Sequence, residues 1–238
     1  MTVLIALTLA NLLILSIRNV VVGDDVFNSL RSNLFIGSLP TLIIALLIDR
    51  FYEKLNGFLF WMGVGLWVLF YPNCPYMISD LIHVGAEPKD GVFDDLIIYD
   101  TFIIFGLAML SVFYGFITLK IMFKRFAQRY SRKFAHYAIN ITLILSCLGF
   151  YMGRKLLSSV KLGNGYLYSW ELFLEPIQIV KIVWHTLWPI GDHLPVYAMM
   201  ALFGFVQYML LFTFYYVNDI EVHTSISEAG MENVQGEV

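Results

Sequence analysis

The sequence predicts an all-α protein that crosses a membrane several times. Of its 238 residues, 59% are hydrophobic and only 14% are charged, and the mean hydropathy is +0.72. A soluble domain carries about 25% charged residues, and no polar stretch here is long enough to form one. The apolar residues fall into runs near the roughly 20 residues that a helix needs to cross the hydrocarbon core. We therefore expect a polytopic helix bundle with six transmembrane spans in residues 1–217, followed by an acidic, disordered tail in residues 218–238.

Six apolar runs account for the predicted spans, which cover residues 3–22, 33–48, 58–71, 96–119, 134–152 and 196–217. The first run lacks the basic start and the small-residue cleavage site of a signal peptide, so we assign it to a span. Pro40 lies inside the second run and predicts a kink, because proline lacks the backbone N–H and clashes with the preceding turn. Pro72 and Pro75 end the regular helix of the third run for the same reason.

Residues 172–190 form a segment whose placement is ambiguous. The segment is apolar overall but contains Glu175, Lys181 and His185. Trp184 and Trp188 are one turn apart, so they share one face of a helix. This pattern favours an amphipathic helix in the plane of the membrane interface. The alternative is a seventh span, which would move the acidic tail to the other side of the membrane.

Basic residues between the fourth and fifth runs indicate the orientation of the chain. Lysine and arginine are enriched in cytoplasmic loops. We therefore predict that this loop and the N-terminus are cytoplasmic. The basic residues of the loop are Lys120, Lys124, Arg125, Arg129, Arg132 and Lys133.

The net charge indicates the class of partner, and the positions of the two cysteines indicate their structural role. The net charge is −3 and no basic tract indicates nucleic-acid binding, so the predicted partners are membrane lipids and other membrane proteins. Cys74 and Cys147 lie in or at the end of apolar runs. We interpret both as small packing residues rather than as members of a disulfide framework.

Most of the unusual polar residues fall at the predicted outer ends of the spans. This topology brings the turn after the third run, the start of the fourth and the end of the fifth to the same face. The residues concerned are Asn33, Asn73, Asp80, His83, Asp94, Asp95, Asp100, Arg154, Lys155, Trp170 and Glu171. We therefore predict one polar, ionisable site on the extracytoplasmic face.

Asp80 and His83 are the first candidates for chemistry in this site. If their segment is helical, a spacing of three residues places both on one side of the helix. A carboxylate and an imidazole can ligate Zn²⁺ or a similar ion, or form an acid/base pair. The alternative is a histidine at a helix end that contacts only water and a carboxylate.

The remaining candidates differ in depth. Asp94 and Asp95 can act at the start of the fourth span, where the helix dipole favours negative charge. Asp100 lies deeper and needs a partner, for which Arg154, His83 or an ion are the candidates. Arg154 can bind a phosphate or carboxylate, or extend to headgroups. Asn73 can satisfy backbone groups freed by the two prolines, and a broken helix at this depth must be buried in protein or line a wet cavity.

Five stretches resemble a known family. They are NLFIGSLP from Asn33, LWVLFYPNCPYMISDLIHV from Leu66, FDDLII from Phe93, GFYMGR from Gly149 and SWE from Ser169. In this order they resemble the bacterial integral-membrane family catalogued as domain of unknown function 1361. The resemblance implies a bacterial cytoplasmic membrane protein with one polar site on its outer face. Glu171 stands where that family usually carries aspartate, and the resemblance implies no reaction.

The resulting hypothesis is an integral membrane enzyme or binding protein that acts on an envelope lipid or lipid-linked substrate. Asp80, His83 and Asp95 would bind a divalent metal or carry out acid/base work. The substrate would contact Asn73, Tyr76, Arg154, Trp170 and Glu171. The alternatives are a transporter or channel subunit that moves protons, cations or a small solute, and an accessory subunit of a membrane complex.

Overall fold

Helices make up every regular element in the described part of the chain. The computed structural model describes residues 2–22, 34–83, 95–151 and 197–213, together with positions 181, 184, 188, 194 and 195. The α-helices are α1 (Thr2–Val22), α2 (Leu39–Phe51), α3 (Gly57–Phe70), α4 (Asn73–Tyr76), α5 (Asp95–Arg129), α6 (Arg132–Tyr151) and α7 (Tyr197–Thr213). The predicted all-α class is confirmed for these residues, whereas the predicted tail lies outside them.

Three helical stretches are long and apolar enough to cross a membrane. They are Gly57–Leu81, Ile97–Arg129 and Arg132–Tyr151, of 25, 33 and 20 residues. Leu4–Val20 and Tyr197–Thr213 are shorter apolar helices. The predicted membrane-helix character is therefore confirmed by length and composition.

The second predicted span consists of two kinds of helix. Leu34–Ser38 is π-helical and leads directly into α2. Pro40 is the second residue of α2, so the carbonyl that its missing N–H would have bonded belongs to the π-helical segment. A change of helix type lies next to Pro40 within a continuous helical run, and the kink itself stays a prediction.

The prediction that the basic residues 120–133 form a loop is wrong. Helix α5 continues through Arg129 and α6 begins at Arg132, so only Tyr130 and Ser131 connect them. Lysine and arginine are good helix formers. Apolar residues also continue at helical spacing through this segment, and Met122 and Phe126 are fully or almost fully buried. Packing of this apolar stripe keeps the segment helical.

Helix α5 is the central helix of the described bundle. Among the 18 residues that make its span apolar enough to cross a membrane, 61% are buried, compared with 28% in each of the other two long spans. One core cluster joins α5 to α1, the π-helical segment and the residues after α3, and a second joins it to α2, α3 and α6. Both clusters therefore depend on α5.

Helices α1 and α5 run antiparallel and in close contact. The hydroxyl groups of Thr8 and Tyr114 share a hydrogen bond near one end. Arg18 pairs with Asp100 near the other end. Between them, a Cβ on Gly106 would lie 2.5 Å from the side-chain oxygen of Asn11, so a larger residue there would require the Asn11 side chain to move.

Trp184 and Trp188 are arranged as the sequence predicts. The Trp188 N–H donates to the Trp184 carbonyl at 2.9 Å. This bond joins residues four apart, as in one turn of an α-helix. The two rings stack with centroids 6.1 Å apart, and both are more than half exposed. Exposed tryptophans are typical of the membrane interface.

Candidate functional site

The most irregular part of the described bundle follows Phe70. Helix α3 ends there, Tyr71 and Pro72 form a turn, α4 spans Asn73–Tyr76, and a 3-10 helix covers Met77–His83. Pro72 and Pro75 have no N–H to donate to the carbonyls four residues earlier. We call the segment Pro72–Pro75 the helix break.

Local hydrogen bonds compensate for the helix break. The Tyr71 carbonyl accepts from the Cys74 N–H at 3.0 Å. The Phe70 carbonyl accepts from the side-chain amide of Asn73, also at 3.0 Å. The Cys74 N–H is the usual helical partner of the Phe70 carbonyl, and the Asn73 amide replaces it, so the prediction that Asn73 satisfies a backbone group left free at the break is confirmed.

Neighbouring helices satisfy the remaining carbonyls of the helix break. The Ser111 hydroxyl of α5 donates to the Cys74 carbonyl at 2.9 Å, and the Ser38 hydroxyl donates to the Asn73 carbonyl at 3.4 Å. The Ser38 and Ser111 hydroxyls also lie within hydrogen-bond distance of each other, and because each has one hydrogen, at most two of these three bonds form at one time. Cys74 and Pro75 are buried, so the break lies within protein, as a broken helix at this depth requires.

Three glycines from three helical segments surround the helix break. A Cβ on Gly37 would lie 2.5 Å from the Asn73 Cβ, and one on Gly149 would lie 2.8 Å from the Pro72 Cβ. A Cβ on Gly115 would lie 3.0 Å from the Cys74 Cβ. We call Gly37, Gly115 and Gly149 the glycine collar. It fixes the break between the π-helical segment, α5 and α6, because the helices can approach this closely only without side chains.

The segment beyond the helix break carries a buried carboxylate. Asp80 lies in the 3-10 helix and is only 3% exposed. It is unusual because the helical stretch that contains it, Gly57–Leu81, is apolar enough to cross a membrane. An aspartate at the centre of a membrane helix costs about 2.5–3.5 kcal/mol, and less near its end. Asp80 has interaction partners in the fold, as a carboxylate at this depth needs.

Two further charges, the buried Arg18 and the partly buried Asp100, lie at the same end of the bundle. The Arg18 Nε donates to one oxygen of Asp100 at 2.9 Å, and its Nη2 donates to the other at 3.0 Å. The side chains are 7% and 14% exposed. Leu15, Met77 and Ile103 belong to one core cluster, and Arg18, Asp80 and Asp100 each lie three residues from one of them. We call Arg18, Asp80 and Asp100 the charged end.

Among the described residues, the partner of Asp100 is one that the sequence did not predict. Its carboxylate pairs with Arg18, whereas Arg154 and the His83 side chain lie outside the described part. The sequence does contain a signal for this pair, because a lone arginine inside an apolar span needs a counterion. Several carboxylates compete for that role in the sequence, and only the packing of α1 on α5 selects Asp100.

The other predicted site residues divide into two groups. Tyr76 packs edge-to-face on Phe150 of α6, whose ring stacks on Phe203 of α7. His83 is the last residue of the 3-10 helix and Asp95 is the first of α5, but their side chains lie outside the described part. Arg154, Trp170 and Glu171 lie outside it entirely. The convergence of Asp80, His83, Asp95 and Arg154 stays a prediction.

The backbone of this region agrees with the predicted spacing of Asp80 and His83. Both positions belong to one 3-10 helix, in which residues three apart lie on the same side. Among the side chains that the structure describes, no three metal-ligating residues cluster. Two of the three predicted metal ligands are outside that set, so metal binding also stays a prediction.

Polar groups deeper in the bundle are uncharged and tie α7 to α6. The Gln207 carbonyl oxygen accepts from the Ser146 hydroxyl at 2.9 Å, and its amide donates to the Cys147 sulfur at 3.3 Å. Gln207 also lines a cavity of about 20 Å³ next to Tyr71 and Cys74, which has room for about one water. Cys74 and Cys147 are buried, free thiols, so their prediction as packing residues is confirmed.

Comparison with known proteins gives one match. The profile of the family described as "Protein of unknown function (DUF1361)" matches residues 32–210, which include the helix break and all of the predicted site residues. No curated protein and no solved structure matches the chain.

Proposed function

From the premise that the chain belongs to this family of proteins of unknown function (DUF1361), we propose that it binds an envelope lipid or a lipid-linked ligand at the charged end. The protein would be a multi-pass protein of the bacterial cytoplasmic membrane, with six spans and the charged end on the extracytoplasmic face. The segment of residues 172–190 would lie in the outer interface, and both the N-terminus and the tail would be cytoplasmic.

The observation that carries this proposal is the burial of Asp80 beside the helix break. A carboxylate that only caps a helix is normally exposed to water, whereas Asp80 is 3% exposed. The glycine collar and the hydroxyl groups of Ser38 and Ser111 hold the preceding residues in place. A charged group that is positioned by a rigid scaffold is typical of a binding or catalytic site.

The distribution of charge favours a site at one end over a relay through the membrane. In the described helices, ionisable side chains of the Asp, Glu, Lys, Arg and His types lie only near the two ends. The groups between them are hydroxyls and amides, such as Ser111, Ser146 and Gln207. A transporter of protons or cations commonly uses chains of ionisable groups across the membrane, so the transporter alternative has less support.

Within the proposed site, the residues have different roles. Asp80, His83 and Asp95 bind a divalent metal or carry out acid/base work, and Arg154 holds the anionic part of the ligand. Tyr76, Trp170 and Glu171 line the ligand. The Asn73 side-chain amide donates a hydrogen bond to the Phe70 carbonyl. We therefore propose that Asn73 affects ligand binding by keeping Asp80 in position.

Replacement of Asp80 with asparagine tests the proposed site. The change keeps the shape of the side chain and removes its charge, so we expect the purified protein to lose its co-purifying lipid or lipid-linked ligand. Native mass spectrometry measures this ligand directly, and elemental analysis of the same samples measures bound metal. Glu53→Gln is the matched control, because Glu53 is exposed in the short 3-10 helix after α2. Equal ligand in wild type and Asp80→Asn would contradict the proposal.

The proposed orientation has a separate test. A cysteine in place of Ser131, in the exposed turn between α5 and α6, should resist a membrane-impermeant thiol reagent in intact cells. A cysteine in place of Lys89 should react. The native Cys74 and Cys147 are buried, so the background labelling should be low. Labelling of the Ser131→Cys protein from outside would invert the orientation.

A further inference from the structure

The end of the bundle opposite the charged end carries a second set of charges, and among its described residues the basic side chains far outnumber the acidic ones. Helix α5 has 35 residues and is therefore about 50 Å long at 1.5 Å per residue. The hydrocarbon core is only about 30 Å thick. The last turns of α5, which hold Lys120, Lys124, Arg125 and Arg129, can therefore extend beyond the core.

Aromatic residues place this end at the level of the lipid headgroups. The indole N–H of Trp61 donates to the Tyr130 hydroxyl at 2.8 Å, and Phe134 packs against both rings. Trp61 and Tyr130 are each nearly half exposed. Tryptophan and tyrosine concentrate at the boundary between hydrocarbon and headgroups, so their pairing marks that depth.

Two of the basic side chains are engaged within the bundle. The Arg125 guanidinium binds the Asp49 carboxylate at 2.7 Å and lies 4.5 Å from the centre of the Tyr52 ring. The Arg129 guanidinium lies 4.6 Å from the centre of the Phe60 ring. These two arginines hold α5 against α2 and α3, and the charge of Arg125 is neutralised by Asp49.

Four other basic side chains on α5 and α6 are exposed, and they have no ion pair within the described residues. We call them the basic face: Lys120, Lys124, Arg132 and Lys133. Lys120 and Lys124 are four residues apart and share one side of α5. Arg132 and Lys133 follow immediately after the two-residue turn, at the start of α6.

We propose that the basic face binds the headgroups of anionic phospholipids in the adjacent leaflet. Arg132 and Lys133 lie within three residues of Tyr130, at the depth of the lipid phosphates. Lys124 and Lys120 lie about 9 and 15 Å before Tyr130 along α5, so their side chains must extend along the helix to reach that depth. Lysine has a long apolar stem and a charged tip, so it can lie along lipid chains while its ammonium reaches a phosphate. Basic residues near a membrane surface attract anionic lipids in this way. The site is distinct from the proposed ligand site, because the basic face and Asp80 lie at opposite ends of α5.

Nanodiscs that contain equal amounts of phosphatidylcholine and phosphatidylglycerol provide the test. After mild detergent extraction, native mass spectrometry counts the phosphatidylglycerol that stays on the full-length protein. We expect Lys120→Gln/Lys124→Gln to reduce retained phosphatidylglycerol relative to phosphatidylcholine by roughly tenfold or more, since each basic residue contributes on the order of a fivefold preference. The matched control is Lys120→Arg/Lys124→Arg, which keeps both charges and should keep the lipid.

Two results would overturn this inference. One is equal retention of phosphatidylglycerol by the glutamine and arginine variants. The other is loss of this lipid from Asp80→Asn but not from the glutamine variant, which would assign the lipid to the opposite end. Loss of retention in the glutamine variant but not in the arginine variant supports the basic face, whatever the outcome for Asp80→Asn. Both lysine variants change exposed side chains, so the thermal unfolding of each should match wild type.

Discussion

Replacing Arg18 with alanine should lower the free energy of unfolding by about 3–5 kcal/mol, because the change leaves Asp100 as an unpaired charge inside the bundle. Both oxygens of Asp100 accept hydrogen bonds from Arg18, and the two side chains are 7% and 14% exposed. Unfolding of the detergent-solubilised protein by increasing mole fractions of sodium dodecyl sulfate, followed by tryptophan fluorescence, measures this loss.

A second variant separates the charge effect from the loss of packing. Arg18→Met/Asp100→Leu removes both charges and keeps apolar volume, so it should recover most of the stability. The Asp49–Arg125 pair is a useful comparison, because the Asp49 side chain is 36% exposed. Asp49→Asn should therefore lower stability by no more than about 1 kcal/mol. If Arg18→Ala is as mild as Asp49→Asn, the pair does not hold α1 to α5.

Replacing Gly37 with alanine should destabilise the protein by about 1–3 kcal/mol, the range found for overpacked interiors. The added Cβ would lie 2.5 Å from the Asn73 Cβ and 2.7 Å from its Cγ. Asn73 cannot move away easily, because its amide is bonded to the Phe70 carbonyl and its backbone belongs to the helix break. The π-helical segment and the break must therefore separate. The same denaturant titration measures the change.

The control for this experiment is Gly65→Ala in α3, where an added Cβ meets no atom within 4 Å. Alanine is a better helix former than glycine, so this variant should be at least as stable as wild type. Equal stability of Gly37→Ala and Gly65→Ala would show that the glycine collar does not depend on close contact. The collar also predicts that Gly37→Ala disturbs the position of Asp80, so ligand retention should fall with stability.

Some features of the structure could be predicted from the sequence, and others could not. Pro72 and Pro75 predict a break because proline lacks an N–H, which is a local property of the chain. The same local chemistry predicts that Asn73 satisfies a freed carbonyl, and its hydrogen bond to the Phe70 carbonyl confirms this prediction. The sequence does not predict that α5 continues through Arg129, because a run of lysines and arginines is also typical of a loop, and only the burial of Met122 and Phe126 distinguishes the two. The polar site residues beyond residue 151 lie outside the described part, so their role stays a prediction.

The sequence by itself determined the class of the protein, the places of the apolar runs, the helix break and the concentration of carboxylates near one end. These features follow from local chemistry: the length of an apolar run, a missing backbone donor and the solvation of charge. The tertiary structure decided which groups meet. It selected Asp100 as the partner of Arg18 and brought Gly37, Gly115 and Gly149 around the break. It also left Lys120 and Lys124 exposed while Arg125 turned to Asp49. Such pairings depend on how helices distant in sequence pack, and the residues of one helix alone do not specify them.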